Sequence, residues 1–167
     1  MLFASSAIRL KLDDVDDFRS TEANAAVLAE AETRLRDIGR DLWSLVGTEL
    51  DGEDPWFYLR AYTAGLQEYV EALSFHHHLT HGGLVSWEQV SKATNSNDSS
   101  SAFGVLVPRA DYMLGVADLT GEVMRQAVNS AGFGNTKMCF QLLTFLQVGG
   151  LRLYLITLSK HKRAKKV

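Results

Sequence analysis

Cysteine is nearly absent from this chain, in which Cys139 is the only one among 167 residues. A disulfide within the chain is therefore excluded, and a reducing compartment is expected. Proline is also scarce, with two residues, and long stretches carry no glycine. Because both residues interrupt helices, their scarcity favours an all-helical domain. The amino-terminal stretch lacks a continuous apolar segment of the signal-peptide type, so secretion is not expected.

No charge of one sign dominates, because the formal net charge is −3. Bulk electrostatics therefore does not indicate nucleic-acid binding, although local patches could still serve it. The chain length and its 46% hydrophobic content suit a single domain with a sizeable core. A membrane tail at residues 140–158 is a minor alternative, which Arg152, two glutamines and the Gly149-Gly150 pair argue against.

Apolar residues recur at helical spacing in three long stretches, which predicts three long helices. The first runs from Ser20 or Thr21 to about Leu50, the second from Pro55 to His81, and the third from about Ala110 to Ala131. The first has a seam in steps of three and four, made by Leu28, Ala31, Leu35, Ile38, Leu42 and Leu45. The second has the stripe Leu59, Tyr62, Leu66, Tyr69 and Leu73. The third has the stripe Tyr112, Val116, Leu119 and Val123.

Local signals place the boundaries between these helices. Pro55 suits a first helical turn, and Gly82 with Gly83 suits a helix end. Ser86 and Gln89 form a capping-box pattern that predicts a short helix over 87–93. We expect three regions: a poorly ordered segment 1–19, a helical domain 20–131 with a flexible polar loop at 94–104, and an apolar, then basic, tail 132–167.

Two pairs of acids fall on the predicted long helices: Glu68 with Glu71, and Asp118 with Glu122. Two antiparallel helices with these faces opposed would bring four carboxylates together. Like charges at short range raise one another's pKa, and a hard divalent cation relieves this repulsion. Oxygen ligands suit Mg²⁺ or Mn²⁺ better than zinc. The alternative is four exposed acids, with Arg125 pairing with Glu122 on a wet surface.

Other polar residues support weaker hypotheses. Consecutive helical residues point about 100° apart, so the tract 76–78 cannot converge on one ion. His77 and His81 could pair on a metal, but surface histidines are the favoured interpretation. Phosphate contact and a solvated face remain open for Arg60, Arg109 and Arg125. The basic end 160–166 is either a nuclear-import or nucleic-acid-binding patch or a solvated tail.

Two long and uncommon strings stand out, GLQEYVEALSF (Gly65–Phe75) and DYMLGVADLTGEVMR (Asp111–Arg125), the second continuing to Ser130. Both strings resemble the translin family, and within it the X-type branch. The resemblance extends from about Leu28 to Ser130. It implies an all-α antiparallel helical bundle of the translin type, incomplete at both ends.

The resemblance also implies a function. An X-type subunit is expected to pair with translin in a hetero-oligomer and to act as a Mg²⁺-dependent endoribonuclease, with Mn²⁺ as a possible substitute. Its substrates would be single-stranded or nicked small RNA, including the passenger strand in RNA silencing and precursor-tRNA fragments, and single-stranded DNA could also bind. The expected location is cytoplasmic and nuclear. The family's catalytic acids correspond here to Glu68, Glu71 and Asp118, which would ligate the metal together with Glu122.

Two departures from the family pattern leave an alternative open. Residues 131–167 do not resemble the helices with which the family continues, and the first helix and its basic leader are missing or altered. The alternative is a non-catalytic nucleic-acid-binding or regulatory partner of translin, a truncated isoform of the X-type subunit.

Overall fold

In the computed structural model, the backbone is described for residues 22–95 and 105–164, and the side chains for residues 25–95 and 105–150. All regular structure within these ranges is helical, as predicted. Some predictions fall outside the described residues. They concern residues 1–19, most of the loop 94–104, and the side chains of the basic end 160–166. The helices are α1 (Glu22–Asp37), a π-helical turn (Ile38–Leu42), α2 (Trp43–Glu49), α3 (Pro55–His81), α4 (Trp87–Thr94), α5 (Arg109–Gly132) and α6 (Thr136–Ala164).

The predicted helix boundaries are largely confirmed. Asp54 caps α3 by accepting a hydrogen bond from the Trp56 amide at 3.0 Å, with Pro55 in the first turn. Gly82 ends α3 in the left-handed conformation, at a φ of 75° that a side chain would oppose. The capping box between Ser86 and Gln89 forms in full and starts α4. These four signals act over a few residues, so the sequence alone is enough to read them.

The π-helical turn changes the register of the first predicted helix. Ala31 and Leu35, ahead of the turn, are buried as the seam requires. Beyond it, Leu45 is 57% exposed, whereas Trp43 is 1% exposed and packs edge-on against Tyr69. A π turn takes an extra residue, so it rotates every later side chain around the helix axis. The prediction that Leu45 continues the buried seam is therefore wrong.

The stripes predicted on the other two long helices form the core. Tyr62, Leu66 and Tyr69 of α3 are buried, and Val116, Leu119 and Val123 of α5 are buried beside them. Helix α6 completes the core, because Leu142 packs in one apolar cluster with Val123 and Ala127. The tail after residue 135 is thus a helix that packs against α5. Among the described residues, no helix combines the length and hydropathy needed to cross a membrane.

Helix directions follow from the contacts between them. Helices α1 and α3 are antiparallel, because Tyr69 lies near Leu35 while His76 lies near Leu28. Helices α5 and α6 are joined by the short turn 133–135 and fold back on each other. Both pairs agree with the predicted antiparallel bundle.

Helices α3 and α5, which carry the acid pairs, run in the same direction. Thr63 contacts Asp111, and further along both helices Val70 lies against Gly115. The connection between them crosses over through α4 and therefore allows a parallel pair. The antiparallel arrangement expected for these two helices is wrong.

Candidate active site

The base of the candidate site is a buried carboxylate that joins α3 and α5. Asp111, which is 7% exposed, accepts hydrogen bonds at Oδ1 from Thr63 Oγ1 at 2.6 Å and from Gln67 Nε2 at 2.5 Å. It lies in the first turn of α5, where the helix dipole favours a negative charge. These contacts fix the register of the two helices.

One turn further along, the two helices are in close contact. A Cβ atom added at Gly115 would lie 2.6 Å from Val70 Cβ and 2.7 Å from the Gln67 carbonyl oxygen. Only a residue without a side chain fits that space. The α3 and α5 backbones are therefore in contact at this level, directly before the predicted site residues.

Three of the four predicted acids follow this contact. Asp118 and Glu122 lie on the same face of α5 as Asp111 and Gly115, because these four residues are spaced four, three and four positions apart. Glu71 is one turn beyond Gln67 on α3 and directly follows Val70, which lies against Gly115. The three acids therefore follow the α3–α5 contact along the two helices, with Asp118 one turn and Glu122 two turns beyond Gly115.

Glu68 has a different position. It is one residue after Gln67, so its side chain is rotated by about 100° from that of Gln67. Glu68 is exposed, whereas Glu71 is half-buried. Glu68 and Glu71 therefore differ in solvent exposure, and Glu68 points further away from the α3–α5 seam than Glu71 does.

Glu122 already has a cation beside it. Arg125 Nε lies 3.3 Å from Glu122 Oε2, and the Glu122 side chain is 15% exposed. The pairing predicted at i, i+3 is thus present, but it is drier than an ordinary surface pair. Asp118 is exposed. Among the side chains that the structure describes, no three His, Cys, Asp or Glu residues group closely enough to hold a metal ion.

The histidines point to separate neighbours, as helical geometry requires. His76 Nε2 lies 3.2 Å from the Leu28 carbonyl oxygen, and His78 packs against Phe145 with ring centroids 4.0 Å apart. His77 and His81 stack at 4.5 Å. No third metal-binding side chain joins this pair within the described ranges. The interpretation of these residues as non-ligands stays a prediction.

The arginines proposed for phosphate contact are dispersed. Arg109 lies over the Trp87 ring, 4.7 Å from its centroid, Arg125 is beside Glu122, and Arg60 is exposed on α3. Of these, Arg125 alone borders the acid residues. The roles of Thr63, Gln67 and Gly115 were not predicted from the sequence. The available signal was spacing: Thr63 and Gln67 are four residues apart on α3, and Gly115 is four residues after Asp111 on α5.

Comparison with known proteins finds clear relatives of this chain. The profile described as "Translin family" matches residues 4–167, so the match extends beyond Leu28 and Ser130 in both directions and includes the tail. Translin-associated protein X of Pongo abelii is 39% identical over 138 residues, covering 72% of this chain and 47% of the relative. The protein of that name from Mus musculus is 37% identical over 138 residues, with the same coverage.

A more distant relative gives the same result. The Translin-associated protein X homolog of Schizosaccharomyces pombe is 35% identical over 112 residues, covering 67% of this chain and 43% of the relative. The chain thus spans about half the length of the curated relatives it matches. The chain belongs to the translin family.

Proposed function

We propose that this chain is the endoribonuclease subunit of a hetero-oligomer with translin. The observation that carries the proposal is the close approach of α3 and α5 at Val70 and Gly115, which Glu71 follows on α3 and Asp118 and Glu122 follow on α5. The relatives named Translin-associated protein X support the partnership. The proposed substrates are single-stranded or nicked small RNA, including passenger strands in silencing and precursor-tRNA fragments, in the cytoplasm and nucleus.

The chemistry of the donor set fits a hard divalent cation. Glu71, Asp118 and Glu122 offer carboxylate oxygens, which suit Mg²⁺ or Mn²⁺. Glu68 would join them through a rotamer directed toward the seam. Bare carboxylates repel one another. We therefore expect these acid side chains to lie further apart without a metal ion than around one.

Each part of the chain has a defined role in this proposal. A bound Mg²⁺ would supply an activated water and neutralise charge on the phosphodiester. Asp111, Thr63 and Gln67 hold the two helices in register, so that the positions of the acids on α3 stay fixed relative to those on α5. Arg125 offsets the negative charge of Glu122 and lies where it could approach a phosphate oxygen.

A surface for a partner chain lies next to these acids. One face of α5 is apolar and exposed over four turns, and its members are Leu114, Ala117, Gly121, Met124 and Val128. Their spacing of three and four residues is that of a helix-packing seam. Contiguous exposed apolar surface is typical of a protein interface. We therefore propose that this α5 stripe, defined by these five residues, contacts translin.

The nuclease proposal is tested with translin present, in Mg²⁺, on a labelled single-stranded RNA. Glu71→Gln and Asp118→Asn should each reduce the cleavage rate by about a hundredfold or more, because each removes a charged metal ligand. The control is Glu49→Gln, which changes an exposed acid on α2. Equal cleavage by Glu71→Gln and Glu49→Gln, with both variants assembled, would reject the site.

The alternative function is a non-catalytic partner of translin. It is favoured by two observations: Glu122 is held by Arg125, and no group of three acids forms among the described side chains. The two functions differ in one result. A complex with translin that binds the RNA but cleaves it no faster than translin alone would establish the second and exclude the first.

A further inference from the structure

A half-open cavity of about 440 Å³ lies on a different face of α3 from the α3–α5 seam, against α1, the π-helical turn and α4. Its middle is apolar, because Leu35, Leu73, Ala93 and the Tyr69 ring line it. Its volume is within the range of pockets that hold small organic ligands. Neither the acid residues nor the α5 stripe takes part in it.

The π-helical turn shapes one end of this cavity. Gly39, in that turn, approaches α4 so closely that an added Cβ would lie 2.9 Å from the Ala93 carbonyl oxygen and 3.3 Å from Tyr69 Oη. π turns inside α-helices are frequent at functional sites. Here the extra residue places Gly39 on the buried side and closes the cavity against α4.

The same end carries two cations. Arg40 follows Gly39 and Lys92 precedes Ala93, so both residues flank the closing contact and both line the cavity. Lys92 makes no ion pair within the described part of the chain. Arg40 pairs with Asp37 at 3.1 Å and with Asp41 at 2.7 Å, but both pairs are exposed. Exposed pairs contribute little stability, so the guanidinium can turn to a stronger anion.

The rest of the rim differs in charge from the end that Arg40 and Lys92 line. Arg36 is paired with Glu32 at 2.8 Å, and both lie with His76 along the α1–α3 side. The cavity therefore has one end with two cations, Lys92 and the Arg40 that two exposed aspartates share, then an apolar middle, and a mixed edge with one carboxylate acceptor. A compact dianion with an apolar ring attached matches this order of chemistry.

We propose that this cavity binds a ring-bearing phosphate monoester, with the phosphate at Arg40 and Lys92 and the ring over Leu35 and Leu73. Two sources share that chemistry: a free nucleoside monophosphate and the phosphorylated 5′ end of a nucleic-acid strand. The binding site is separate from the acid residues of the proposed nuclease and needs no divalent cation.

The test is a calorimetric titration of the full chain with AMP in a buffer that contains EDTA. AMP should bind saturably and at least about tenfold more tightly than adenosine or inorganic phosphate alone, since each lacks one half of the recognised group. A short RNA with a 5′ phosphate, compared with its 5′-hydroxyl form, distinguishes the two sources. Preference for the phosphorylated strand over AMP assigns the strand end, and the reverse assigns the free nucleotide.

Two exposed-cation variants complete the test. Lys92→Ala and Arg40→Ala should each weaken AMP binding by about tenfold, because each removes a cation from the phosphate end. The control is Lys137→Ala, an exposed lysine on α6 outside the cavity. The absence of saturable AMP binding, or equal affinity of Lys92→Ala and Lys137→Ala, overturns the proposal. Because EDTA removes divalent cations, either failure leaves the nuclease proposal untouched.

Discussion

Asp111 of α5 accepts a hydrogen bond from Gln67 of α3 across 2.5 Å, and this buried contact joins the two helices that carry the acid residues. The same carboxylate oxygen accepts from Thr63. The parallel pair α3–α5 is therefore held at its base by a polar contact and directly above it by the apolar approach of Val70 to Gly115. Perturbing either contact should move the acids relative to each other.

Removing the Asp111 carboxylate should destabilise the fold. Asp111→Ala leaves the Thr63 hydroxyl and the Gln67 amide without their acceptor in a part-buried position, which costs about 1–3 kcal/mol. Urea denaturation followed by circular dichroism measures the free energy of unfolding. Asp51→Ala is the control, because Asp51 is exposed in a turn and should change stability by less than about 0.5 kcal/mol. Equal effects of the two changes would contradict the role given to Asp111.

Two glycines of α5 should respond in opposite directions to alanine. Gly115→Ala forces a Cβ against Val70 and the Gln67 carbonyl, so unfolding should become easier by about 1–3 kcal/mol. Gly121→Ala meets nothing within 4 Å and should stabilise the helix by about 0.5–1 kcal/mol. Thermal unfolding of the two variants separates them. A stabilised Gly115→Ala variant would show that the α3–α5 contact is looser than the structure has it.

The contrast between these glycines shows what the sequence could and could not predict. Helix ends were predictable at Pro55, Gly82 and Ser86, because these signals depend on residues within a few positions. The closeness of Gly115 to Val70 was not, since it arises between helices distant in the chain. Helix direction failed for the same reason: the crossover through α4, and not the pattern of α3 or α5, makes that pair parallel.

The candidate site shows the same division. Spacing within one helix predicts that Asp118 and Glu122 share a face of α5 and that Glu68 and Glu71 share a face of α3. The 15% exposure of Glu122 was not predictable, because it depends on neighbours brought in by the fold. Whether these oxygens converge on a cation stays a prediction of the sequence and of the family resemblance.

Trp43 and Leu45 test the register change caused by the π-helical turn. Trp43→Ala removes a fully buried ring that packs against Tyr69, and should cost about 3–5 kcal/mol. Leu45→Ala changes an exposed side chain and should cost less than about 0.5 kcal/mol. Chemical denaturation gives both values. If Leu45→Ala proved the more costly change, the first helix would continue in its predicted α-helical register.

Stability should decline in mild acid because of His76. Burial lowers the pKa of His76 below its ordinary value of 6.5, and burial also lowers the pKa of His77. The unfolded chain then binds protons at a higher pH than the folded chain. The stabilisation is therefore fully present above about pH 6.5 and is lost as the pH falls below it. His76→Gln should flatten this decline when unfolding free energies are compared between pH 7.5 and 5.5. Parallel curves for the two proteins would contradict the assignment.

A charge on the α5 stripe should prevent the proposed association with translin without unfolding the chain. Val128 is 63% exposed, so Val128→Glu places a carboxylate in water in the free chain but would bury it unpaired in a complex. Affinity for translin, measured by calorimetry or analytical ultracentrifugation, should fall by at least about tenfold, with the helical circular dichroism unchanged. Ala29→Glu, at an exposed position on α1, is the matched control and should retain binding. Loss of binding in both variants, or in neither, would mean that translin contacts a different surface.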